Sequence, residues 1–155
     1  VCGVNAVTHL PLGPLAYTEV LGRRLFGTFP IAAPLLWFTV ILCSRATLLL
    51  LFPRAAQWPR WQAALGSAFL VLLTGLNLEL FAWKLRAWWL WYPAQIESPA
   101  WPPPQNFAAW FAVAFVAVLA LRPAPRAIVS GGNRFKPAVI LGLLNLAALA
   151  FHAVR

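Results

Sequence analysis

The chain has 155 residues, of which 62% are hydrophobic and 10% charged, and its mean hydropathy is +0.76. That composition excludes an ordinary water-soluble domain and points to a membrane. Twelve Lys and Arg against three acids give a formal net charge of +9; the basic residues flank apolar runs instead of forming a basic domain, so they read as anchors among lipid headgroups, with no nucleic-acid partner.

Residues 1–30 carry Gly3, Pro11, Gly13, Pro14, Gly22, Gly27 and Pro30 and are too interrupted for a spanning helix. They are expected to form an interfacial or re-entrant segment, in which TEVLGRRLFG, residues 18–27, makes a short amphipathic helix capped by Thr18. No methionine occurs and no basic stretch leads into a signal-type apolar core, so the chain is expected to be a fragment or a processed product. Cys2 and Cys43 stand too far apart in character, one terminal and one mid-membrane, to make a disulfide framework.

Four apolar runs follow, at 31–52, 63–83, 107–121 and 137–154. A bilayer core of about 30 Å takes roughly 20 residues of helix, and these runs lack the alternation of barrel strands. They predict an all-α fold: a polytopic membrane helix bundle of about four transmembrane helices, forming a single domain over 31–154. PRAAQWPRW, residues 53–61, closes a tight hairpin at the interface, and SGGNRFK, residues 130–136, is a polar turn before the last helix. Between the second and third helices lies WWLWYPAQIESPAWPPPQNFAAWF, residues 88–111, a proline- and tryptophan-rich interfacial segment. Basic residues divide almost evenly between the two sides, with the dense loop at 122–136 favouring the cytoplasmic side.

Few ionisable groups fall inside the runs. Arg45 has a stem long enough to snorkel toward the 53–61 loop. Glu79, in TGLNLELFAW, is shorter, and the chain contains no Asp, while Glu19 and Glu97 lie outside the helices. A carboxyl group kept from water is expected to hold its proton and to act as a donor. Asn77, two residues before Glu79, falls on a different helix face, so the two meet only if the helix end unwinds. His9 and His152 have no spacing that suggests a metal or haem site, and no metal is expected.

The polar and aromatic landmarks have a familiar order. LPLGPLAYTEVLGRRLFGTFPIAAPLLWF, residues 10–38, resembles the stretch of the integral-membrane carotenoid biosynthesis protein family in which a Gly-x-Tyr-x-Tyr-like turn precedes Leu-Gly, Gly-x-Pro, x-Pro and Trp. ELFAWKLRAWWLWYP and PPPQNFAAWF look like its acid-Pro-x-Ala, Trp-x-Trp and Pro-x-x-Asn-Phe-x-Gly-Trp elements, and the order agrees over residues 10–121. Four positions depart from the pattern. An acid about four residues before the acid-Pro pair falls on Gly75, or on Asn77 with a slip of two; the proline is Leu80, the first tyrosine is Leu15, and the glycine of the last element is Ala109.

The resemblance implies a cofactor-free polytopic enzyme of the bacterial cytoplasmic membrane, with more helices than four, so that N-terminal helices are expected to be missing here. Its members include carotenoid hydratases, which add water to a terminal isoprenoid double bond. Such a reaction needs a proton donor, shelter for a tertiary cation and a positioned water. Glu79 would be the acid, Asn77 and Asn106 would hold the water, and the rings of Trp88, Trp89, Trp91 and Trp110 would steady the cation by about 0.5 to 2 kcal/mol each. Tyr17, Trp37 and Phe107, at matching motif positions, join these tryptophans as expected substrate contacts. The expected partners are the lipid bilayer, a carotenoid or other polyisoprenoid, and other membrane subunits. The plain alternative for the tryptophans is an aromatic belt, and for the whole chain a non-catalytic structural or pigment-contacting subunit of a larger membrane complex. A coupled transporter would show more than one buried acid or a broken helix pair.

Overall fold

The computed structural model of the chain describes residues 4–5, 8–91, 101–121 and 134–153. Four long helices dominate it: α1 (Ala32–Leu51), α2 (Arg60–Leu80), α3 (Pro104–Ala120) and α4 (Lys136–Ala153). Residues 92–100, with Glu97, and 122–133, with most of the basic loop, lie outside the described residues, as do Cys2 and the side chain of His152.

The helices form where the apolar runs place them, and prolines trim their ends. Pro59 stands immediately before α2 and Pro104 is the first residue of α3, because a proline ring fixes φ for a helical first turn and needs no partner for the missing N–H. Both helices therefore start three residues earlier than the hydropathy alone suggests. α1 and the stretch Arg60–Lys84 are long and apolar enough to cross a membrane, whereas α3, with 17 residues, and α4 are shorter apolar helices. The turn Pro53–Gln57 returns α2 beside α1, where Leu48 rests on Gly66. α3 runs antiparallel to α2: Asn106 meets Glu79, and one turn along Trp110 covers Gly75.

The strands were not anticipated. β1 (Leu15–Tyr17) pairs antiparallel with β4 (Trp89–Trp91), with Leu15 opposite Trp91 and Tyr17 opposite Trp89, and a second ribbon joins β2 (Arg24–Leu25) to β3 (Phe29–Pro30). The amphipathic helix expected at 18–27 is instead a single 3-10 turn, Glu19–Leu21, followed by the β2–β3 ribbon. Its cause is backbone geometry: Gly22, Phe26 and Gly27 have φ of 78°, 51° and 68°, which no α-helix accommodates. Thr18 caps nothing. Its hydroxyl donates to the carbonyl of Ala87 and its N–H to that of Trp88, tying the first ribbon to the end of α2.

That end is itself unusual. After Leu80 the helix widens into a π turn, Phe81–Leu85, closed by the Arg86 N–H on the Phe81 carbonyl; Ala87, at φ 48°, then reverses the chain into β4. The strand period of two does the rest. Leu15, Tyr17, Trp89 and Trp91 all face inward, while Leu90 faces out.

Candidate functional site

At the ribbon end of the helices, α2 presents Glu79, which is 1% exposed and has the largest of the fully buried side chains. A carboxyl group sealed from water must find hydrogen-bond partners. Glu79 has three. The indole N–H groups of Trp89 and Trp91 donate to Oε1 at 2.7 and 2.5 Å, and the Asn106 amide donates to Oε2 at 3.0 Å. Behind Asn106, itself 1% exposed, the Trp110 N–H donates to Oδ1 at 2.9 Å.

Every direction in this chain of bonds follows from chemistry. An indole nitrogen can only donate. Trp110 therefore fixes the Asn106 amide with oxygen toward itself and nitrogen toward Glu79, so that Oε2 accepts; Trp89 and Trp91 likewise oblige Oε1 to accept. Both tryptophans reach one oxygen because they sit two apart on a strand, and Asn106 and Trp110 cooperate because they sit four apart on a helix.

Beside the carboxyl group is a cavity of about 20 Å³, room for about one water. Leu12, Leu15 and Tyr17 close it from the N-terminal segment, Ala33, Leu36 and Trp37 from α1, and Trp89, Trp91, Asn106 and Trp110 from the remaining sides. The Trp37 and Trp110 rings touch, with centroids 3.9 Å apart and planes inclined at 51°. Leu12 is held in place by Asn5, a buried residue whose amide accepts the Leu12 N–H at 2.7 Å and donates to the Gly13 carbonyl at 3.1 Å.

Of the residues expected from the sequence, the fold brings together Tyr17, Trp37, Glu79, Trp89, Trp91, Asn106 and Trp110. Three are elsewhere. Trp88 packs edge-on against Phe81, centroids 5.5 Å apart, on the other side of the strand; Phe107 is half-buried on α3 without lining the cavity. Asn77 donates to Asn145 of α4, which in turn donates to Thr74. The π turn comes after Asn77 and does not swing it toward Glu79, so Asn77 belongs to the α2–α4 contact. Interhelical amide bonds of this kind contribute about 0.6 to 2 kcal/mol in a membrane. Asn77→Ala is accordingly expected to lower the denaturation midpoint in dodecyl sulfate slightly and to leave the Glu79 site intact, read as unchanged tryptophan emission.

Sequence reasoning missed the apolar lining, Leu12, Leu15, Ala33 and Leu36, because nothing in an apolar residue's type distinguishes cavity wall from core. Gly75, where the family pattern puts an acid, has a packing role that its type alone did not disclose. A Cβ on Gly75 would stand 2.5 Å from Trp110 Cε3 and 2.9 Å from Cζ3, so the glycine is the floor on which Trp110 lies. Among the described residues, no group of three or more His, Cys, Asp or Glu side chains is gathered where a metal could be held.

The chain matches the family described as carotenoid biosynthesis protein over residues 3–154. No curated protein and no solved structure matches it significantly.

Proposed function

The chain belongs to the carotenoid biosynthesis protein family, and we propose that it is an integral protein of a bacterial cytoplasmic membrane, crossing it with four helices and adding water to a terminal isoprenoid double bond. The observation that carries this reading is Glu79: among the described residues the one acid of the four long helices, buried, held by three N–H donors and placed beside a cavity of one-water size.

One carboxyl group suffices for the reaction. Oε1 already accepts two hydrogen bonds and Oε2 only one, so the transferable proton resides on Oε2. It passes to the less substituted alkene carbon and leaves a tertiary cation on its neighbour. The water oxygen bonds to that cation and returns a proton to Oε2, so that one water is added and the acid is regenerated, with no oxidant or reductant. While the carboxylate exists, the N–H groups of Trp89, Trp91 and Asn106 already point at its charge, which is how a preorganised site lowers a barrier. The faces of Trp37 and Trp110 offer the cation its electrostatic shelter.

The test is expression of the chain in a host that makes an acyclic carotenoid. The expected result is a product heavier by one water. A folded protein that binds the pigment without converting it would instead support the pigment-contacting subunit.

A further inference from the structure

A cavity of one-water size has no room for the end of a polyene, so a polyene end reaches Glu79 only where a wall gives way. The walls differ. Trp89 and Trp91 hold Glu79 by hydrogen bonds and are pinned by the β1–β4 ribbon, and Asn106 and Trp110 are bonded to one another. Those walls move only by breaking the site. α1 and α3 are another matter: each packs along α2, and they face one another across the contact of the Trp37 and Trp110 rings.

Trp37 is half-buried and lines the cavity, and the next residue of α1, Phe38, is 58% exposed. Part of this residue thus borders the cavity, while its own remaining exposure and that of Phe38 face the surroundings of the bundle. Among the described residues its ring is held by the contact with Trp110 and by no hydrogen bond, and rotation of a side chain is far cheaper than loss of a buried polar network.

We propose that Trp37 closes a lateral portal between α1 and α3, through which the hydrocarbon end of the substrate enters from the acyl-chain region of the bilayer and not from water. The inference rests on the reading of the chain as a carotenoid-modifying membrane protein, and it specifies the route and the physical state of what enters: a linear apolar chain already dissolved in lipid. Entry by this route places the alkene against the Trp110 face and beside Glu79 without disturbing the three donors.

The portal is tested without turnover, so its failure is distinct from failure of the hydration reading. The protein is reconstituted in bilayers whose acyl chains carry bromine, which quenches tryptophan by contact, and Trp37→Ala is compared with Trp37→Phe, in which a ring still fills the gap. The alanine variant is expected to lose additional emission to brominated chains, by the share of at least one site tryptophan, and to lose no more than the phenylalanine variant to iodide in the water. Equal quenching of the two variants by brominated chains would overturn the portal, and so would a gain confined to iodide. Should Trp37→Ala fail to fold, Trp37→Leu makes the same comparison with a side chain that keeps the helix contact and leaves the ring's space open.

Discussion

Glu79→Gln is expected to abolish product formation and also to destabilise the protein by about 1 to 3 kcal/mol, although the two side chains have nearly the same shape. The second effect is the less obvious one. A carboxyl oxygen accepts a hydrogen bond whether or not it carries a proton, whereas an amide nitrogen only donates. With the Gln oxygen kept under Trp89 and Trp91, its nitrogen confronts the Asn106 nitrogen. Turning the Asn106 amide cures that contact and creates another, because its nitrogen then faces the Trp110 N–H, which has no way to accept. The conflict can be moved along the chain of bonds and cannot be removed. Measured as a denaturation midpoint, Glu79→Gln should therefore fall below the wild type and Glu79→Leu further still, since leucine strands three buried donors. A Gln variant as stable as the wild type would mean that the donors are not aimed as described.

The same directional logic shows what the sequence could and could not disclose. The helices were legible because long apolar runs admit one structure in lipid, and only their starts were misplaced, where Pro59 and Pro104 lead into helices that hydropathy begins later. Glu79 was legible for a related reason: an acid in such a run is expensive and conspicuous. Trp89 and Trp91 stood out by type, yet their shared oxygen depends on β4, and β4 depends on a partner strand more than seventy residues away in the chain. No local pattern announces a pairing of that range. Thr18 illustrates the converse error, since its sequence context suggests a helix cap and the fold uses it as a strut to Ala87. Asn77 was expected to meet Glu79 only through an unwound helix end, and the π turn begins after both residues, so they stay on nearly opposite faces.

Gly75→Ala is expected to destabilise the protein and to suppress product formation, although it touches neither Glu79 nor the cavity. Two effects oppose each other. Alanine in place of glycine favours a helix by about 0.5 to 1 kcal/mol, while a methyl group 2.5 Å from Trp110 Cε3 overpacks a closed interface, at about 1 to 3 kcal/mol. The second prevails, because both atoms nearest the new methyl belong to a rigid fused ring that is also in contact with the Trp37 ring. Trp110 must then shift, the N–H that orients the Asn106 amide is withdrawn, and Oε2 loses its fixed donor. Trp110→Phe, which removes part of the fused ring, is expected to restore much of the stability lost in Gly75→Ala, so that the two changes are non-additive in the denaturation midpoint. It should not restore the product, because phenylalanine has no N–H to offer Asn106. Recovery of both together would mean that Trp110 acts through its volume alone and that the chain of hydrogen bonds ends at Asn106.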